Sequence, residues 1–348
     1  MRMSMLDLVT NQPITLWIVI GFLAVSLLLY CLLGGADFGA GVLEIFLRKR
    51  QRVEQHKIIE KAMGPVWEAN HMWLILMVVI LFMGFPEVYS LISIHLHLPL
   101  TAMLIGIIAR GCSFTFRHYD AKKGRSQKSY AVFFIFSSVW TPLCLGIVMG
   151  SLIPGGIHPV YATYREGFID SWFRPFPLAL GLFTVCLFTF LAAVFLIGES
   201  PAGEIRTSFT RRARVASIVT VLAGGVVFFA AQLDDIILIP RFLHSAIATA
   251  CMILATISLP FFWMGLRKEW IWTVRSLAGI QVVLILSAWL WIQFPVLVHL
   301  PGGDLTLFNS HAPDRTLFQL AAALLVGSAF ILPSLFYLFQ VFKLDEED

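Results

Sequence analysis

Three acids and one arginine stand within or at the ends of long apolar stretches: Asp37, Glu68, Glu87 and Arg110. Charge in hydrocarbon costs about 2.5–3.5 kcal/mol per group on insertion scales, so such residues face a partner or a wet cavity. Arg110 lies in the middle of the apolar run 99–117. Arginine keeps its proton in proteins, so Arg110 requires carboxylate, propionate or carbonyl partners. It serves either as half of a structural ion pair or as a charge that tunes a redox or proton site. Asp37 falls within G-A-D-F-G-A-G, where the glycines let another helix approach the carboxylate. Glu68 falls within G-P-V-W-E-A-N-H-M-W-L-I. With Pro65 in the first turn, Trp67 and His71 share a helix face. Glu68 and Asn70 lie elsewhere around the same turns. A carboxylate, an amide and an imidazole this close at a membrane entrance can relay protons through water. They can equally be helix capping beside an interfacial Trp anchor. Glu87 follows Pro86, which is expected to bend the helix and free backbone groups whose donors Glu87 can satisfy.

Other chemistry is missing. The nine histidines fall almost entirely in loops or at the ends of apolar runs. A haem held between two helices wants His or Met aimed from within them. Only His71 and His244 come near this, toward opposite faces of the membrane, so the chain is not expected to bind a haem by itself. The five cysteines (Cys31, Cys112, Cys144, Cys186, Cys251) form no CxxC pair, which leaves no metal or disulfide pattern. No phosphate-binding loop, HExxH or CxxCH occurs, and nothing supports nucleic-acid binding.

The elements that position these residues follow from composition. Of 348 residues, 58% are hydrophobic and 13% charged, far from the balance of a soluble domain. The surplus must face lipid. A helix needs about 20 mostly apolar residues to cross a bilayer. By that measure the spans are 14–36, 72–95, 99–117, 131–153, 177–198, 214–232, 243–266, 271–293 and 316–340. The first is too long and wrongly flanked for a cleaved signal peptide. Of the 25 Lys and Arg, nineteen then fall on one side, five on the other, and Arg110 between. The richly basic segments are 48–61, 117–128 and 199–213. This predicts an N-terminus outside and a C-terminus in the cytoplasm. The basic segments also suit attraction to anionic lipid.

The two stretches G-G-A-D-F-G-A-G (Gly34–Gly41) and G-E-S-P-A-G (Gly198–Gly203) both set an acid beside glycines before a basic segment. They suggest two halves. The fold expected is an all-α polytopic membrane protein, a single integral membrane domain over 1–348. It has about nine transmembrane helices: a four-helix bundle over 14–153, a second over 177–293, and a peripheral helix at 316–340.

Three segments together carry a resemblance. G-A-D-F-G-A-G-V-L (Gly35–Leu43) is similar to the G-x-D-x-G-x-G-x-L signature of cytochrome bd-type quinol oxidase subunit II. Gly64–Ile75 resembles that family's W-[DE]-x-N-x-x-W-L motif, and R-G-C-S-F-T-F-R-H (Arg110–His118) its third-helix motif. Leu196–Arg206, Gly146 and Gly150 match more weakly, and after the sixth span topology alone carries the match. The resemblance implies a heterodimer in a bacterial cell membrane. Its partner, subunit I, carries haem b, haem d and the quinol site, with room for a small accessory membrane subunit. The complex oxidises quinol and reduces oxygen to water in aerobic respiration. On this chain the resemblance implies a proton path at Glu68, with Asp37, Asn70 and His71 beside it. Arg110 and Trp67 fall near the haem-facing interface. His71 departs from relatives with another polar residue there. A secondary transporter is the rival class, since basic inner segments, glycine-rich breaks and weak half-to-half similarity suit one too.

Overall fold

Lipid offers no hydrogen-bond partner, so an apolar run must pair its backbone within itself and becomes helix. The computed structural model describes residues 12–47, 52–119 and 125–344; within them the side chains at 52, 63–69, 117–119, 125–128, 335–336 and 338–344 lie outside the described set. Helix α1 spans Ile14–Phe46, interrupted by a π-helical turn at Tyr30–Gly34. Then come α2 (Arg52–Gly84), α3 (Pro86–His95), α4 (His97–Tyr119) and α5 (Arg125–Ser151). A short α6 (Tyr164–Phe168) precedes α7 (Pro175–Glu199) and α8 (Glu204–Leu233). Next are α9 (Leu238–His244), α10 (Ala246–Arg267) and α11 (Ile271–Gln293). A two-stranded antiparallel hairpin, β1 (Val296–Val298) with β2 (Leu305–Thr306), leads into α12 (Asp314–Leu344). Among the described residues eight helices are long and apolar enough to cross a membrane, and α2 with α3 forms a ninth candidate bent by 115°.

That bend corrects the expected span 72–95. Phe85 leaves the helical region, at φ −137° and ψ 61°, and Pro86 opens α3. Proline supplies no N–H to the helical ladder and pushes its predecessor out of the α conformation. So the ninth candidate is a broken pair, with α2 running up to the bend and α3 turning away from it. The pair covers Asn70–Gly84 and Pro86–His95, close to the expected 72–95 but broken in the middle. Glu87 sits just beyond the bend, exposed in the first turn of α3, where an acid is favoured by the helix dipole.

Two other boundaries move for physical reasons. The first span does not stop at 36; it continues as helix through the glycine stretch to Phe46. The expected loop 199–213 is helical from Glu204 onward. At 30 residues α8 is about 45 Å long, which exceeds the hydrocarbon thickness and lets its basic first turns project beyond it. Its far end is tied to α7: Asp234 accepts a hydrogen bond from Phe176 N at 2.7 Å and pairs with Arg174 at 3.3 Å.

The glycines of α1 face three neighbours. A methyl group at Gly39 would strike the Phe188 carbonyl of α7, and one at Gly35 would meet Leu191 at 2.7 Å. Gly34 lies against Asn70 of α2, and Gly41 against Ser138 of α5. Small residues let these backbones approach closely. At the other end of α1, Leu16 and Val19 join Ile80 of α2 and Leu317, Leu320 and Ala321 of α12 in one apolar cluster. The C-terminal helix thus packs on the first helices of the chain.

Candidate functional site

The site begins where the π-turn of α1 meets α2, α4 and α5. A π-turn adds a residue to the helical repeat and re-aims the side chains that follow; such bulges recur at functional sites. Asp37 follows the π-turn directly and is 1% exposed. Arg110, projecting from α4, is also 1% exposed. Its Nη2 donates to Asp37 Oδ1 at 2.6 Å and to the Asp37 carbonyl at 2.7 Å, while Nε donates to Oδ2 at 3.3 Å. Nη1 donates to Ser138 Oγ of α5, and Ser138 in turn donates to the Phe134 carbonyl at 2.5 Å. The rings of Phe38 and Phe134 lie against the guanidinium at 4.8 and 4.4 Å.

This geometry explains how the chain tolerates an arginine in its interior. A fork of two N–H groups meets both carboxylate oxygens, and the planar cation is sandwiched by aromatic faces. A buried pair holds only when its remaining donors are satisfied; here a carbonyl and a hydroxyl do that. Arg110 is enclosed by α1, α4 and α5 of its own chain. Asp37 is engaged through both oxygens, each accepting one hydrogen bond from the Arg110 guanidinium.

Asn70 is fully buried on α2 against Gly34. Neither its amide oxygen nor its nitrogen has a hydrogen-bond partner among the described residues, and the same holds for the Tyr30 hydroxyl and Trp73 Nε1. Tyr30 and Trp73 pack in one cluster between α1 and α2. Buried polar atoms of this kind call for water or a partner group. His71 is half-buried on the same helix. Glu68 and Trp67 stand on α2, but their side chains lie outside the described residues.

The structure adds groups that the sequence reading passed over. Ser138 and Phe134 complete the Arg110 cradle; the consecutive serines Ser137 and Ser138 within an apolar run were a visible polar signal. Glu44, seven residues beyond Asp37, is 4% exposed. His56 Nδ1 lies 3.2 Å from its Oε1, and His56 Nε2 lies 3.8 Å from Glu60. The spacing of seven put Glu44 on the Asp37 face of the helix. The π-turn at Tyr30 has no sequence signature.

A cavity of about 350 Å³ separates α1, α5 and α7 from α8, α10 and α11. Its walls carry Met149 and Met252 but no histidine. His244 is exposed at the end of α9, far in sequence and element from His71. Among the described residues no group of three His, Cys, Asp or Glu could hold a metal ion.

Residues 14–342 match the family described as cytochrome bd terminal oxidase subunit II. The chain is 26% identical over 337 residues to the cytochrome bd ubiquinol oxidase subunit 2 of Bacillus subtilis strain 168, covering 94% of this chain and 95% of that protein. It is 24% identical over 210 residues to the cytochrome bd-I ubiquinol oxidase subunit 2 of Escherichia coli K12, covering 59% and 53%. Its fold is similar to that of a chain in the bd oxidase of Geobacillus thermodenitrificans, with a TM-score of 0.76 at 20% identity, over 95% of this chain and 99% of that one.

Proposed function

The chain belongs to the cytochrome bd terminal oxidase subunit II family, and from that premise we propose that it supplies a proton path to a haem-bearing subunit I. It is a multi-pass bacterial membrane protein and a subunit of a quinol oxidase complex; membership decides against the transporter reading. In the proposed arrangement subunit I carries haem b, haem d and the quinol site. Oxygen and quinol are substrates of the complex. The N-terminus lies outside and the C-terminus in the cytoplasm, as the basic residues suggest. Two four-helix halves suit the helix order, with α1, α2, α4 and α5 before α6 and α7, α8, α10 and α11 after it.

The carrying observation is the break at Phe85. In this reading the crossing ends at the bend, and α2, unbroken from Arg52 to Gly84, carries Glu68 within the membrane. Sixteen residues from Gly84, it lies about 24 Å along the helix. There it precedes Asn70 and His71 by less than a turn. Oxygen reduction consumes protons, and hydrocarbon cannot deliver them. In this reading Glu68 accepts a proton from the cytoplasmic side, and water bridged by Asn70, Tyr30 and Trp73 passes it inward. Asp37 and Arg110 hold α1, α4 and α5 in register beside that route. Trp67 is assigned to the surface facing subunit I.

Glu68→Gln keeps size and hydrogen bonding but cannot ionise. Oxygen uptake per haem by the purified complex should fall at least about tenfold, the scale of a lost acid–base group. Haem content should stay near normal, and Glu68→Asp should retain substantial activity. Wild-type turnover in Glu68→Gln removes this residue from the path.

A further inference from the structure

A second cavity, of about 440 Å³, opens where the end of α1, the middle of α7 and the start of α8 converge. Arg211 and Arg212 stand at one end of it, with Ser208. Beyond them the walls are apolar: Val42 and Phe46 from α1, Val185 from α7, and Val215 and Val219 from α8. The groove follows α8 from Ser208 to Val219, about 16 Å of helix.

Three features define what fits. The first is charge. Arg212 is fixed at the mouth: its Nη2 donates to the Phe46 carbonyl and to Gln55 Oε1, both at 3.0 Å, and its guanidinium lies over the Phe209 ring at 5.1 Å. Arg211 is exposed beside it, and Arg206 and Arg214 add to the same helix. Of the nearby acids, Glu44 faces His56, and Glu204 is about two turns back along α8. The mouth is net positive. The second is the wall chemistry, which leaves a soluble anion without partners below the arginines. The third is access: Val215, Ile218, Val219 and Leu222 are exposed on α8, so the groove opens sideways to lipid.

We propose that this groove binds one anionic phospholipid, its phosphate on Arg211 and Arg212 and an acyl chain along α8 between α1 and α7. The site is independent of the proton route. Such a lipid would fill the seam between the two halves at the basic membrane surface.

The test uses the purified complex and native mass spectrometry. It is incubated with dioleoyl phosphatidylglycerol or dioleoyl phosphatidylcholine, which share acyl chains and differ in headgroup charge. With two arginines, the wild type should retain the anionic lipid about twenty-five-fold better. Each basic residue near a membrane surface contributes about a fivefold preference for anionic lipid. Arg211→Gln, which leaves the Arg212 contacts intact, should therefore lower the preference about fivefold, and R211Q/R212Q should abolish it. Ala216→Trp, which fills the groove, should reduce retention of both lipids. Equal retention of the two lipids by the wild type, or an unchanged preference in R211Q/R212Q, overturns the proposal. So does displacement of the lipid by millimolar inorganic phosphate, which would mark a simple anion site.

Discussion

Each half of the chain sets an acid beside a glycine and brings an arginine to it, yet the two pairs live in different surroundings. In the first half Asp37 meets Arg110 with both side chains 1% exposed. In the second, Glu199 meets Arg275 at 2.5 Å with exposures of 30% and 19%. The local chemistry is alike. Arg275 also donates to a backbone carbonyl, that of Phe195, and lies over an aromatic ring at 4.7 Å. Gly198 makes room for it, as Gly41 does for Ser138 and Arg110. The first pair is closed from three sides by α1, α4 and α5, whereas the second sits where α7 ends and α11 begins. Removing one partner of a buried pair strands a charge in low dielectric; removing one partner near the surface leaves it to water. Burial, more than the number of contacts, should therefore set the energetic weight.

The largest expected effect is Arg110→Leu, which leaves Asp37 uncompensated. A loss of about 3–5 kcal/mol follows, read as a collapse in assembled complex and in its melting temperature. The double variant Asp37→Leu/Arg110→Leu should recover a large part of that loss, because no lone charge remains. Failure to recover would mean that the cradle contributes packing beyond the pair.

Gly41→Ala should come next, at about 1–3 kcal/mol. Its methyl would strike Ser138 Oγ, which is held in place by Phe134 and Arg110. Arg275→Leu should cost about 1–2 kcal/mol, the range of a charged hydrogen bond partly open to water. If it destabilises the complex as much as Arg110→Leu, burial is not what separates the two pairs. The smallest effect is expected of Gly198→Ala, under about 1 kcal/mol, since Arg275 can swing toward solvent. Thermal unfolding of the four single variants and the double variant ranks them directly.

Most of the helical pattern could be read from the residues. The run 271–293 coincides with α11, and 177–198 lies within α7. Runs of this kind admit only helix in a bilayer, so hydropathy locates them. At Pro86 a bend could be read from the proline but not its size, since Phe85, Val88 and Leu91 stay apolar through the break and a hydropathy window does not register a turn of 115°. The start of α8 was misread for the opposite reason. Its arginines look like a loop to a hydropathy measure, although helix continues through them.

The candidate site was legible as residue types and not as partners. An arginine within an apolar run announces that an anion must be near, and the motif at Asp37 supplied one seventy-three positions away. Which acid would meet Arg110 depended on how α1 and α4 sit against each other, on the π-turn before Asp37, and on Ser138 arriving from α5. Sequence by itself determined that the chain crosses the membrane, roughly where, with which side basic, and which charges need compensation. Those are sums over each segment's transfer free energy. Only the tertiary structure decided the pairing of Asp37 with Arg110 and the burial that separates that pair from Glu199 and Arg275. Those depend on contacts between segments far apart in the chain, and no local composition encodes such distances.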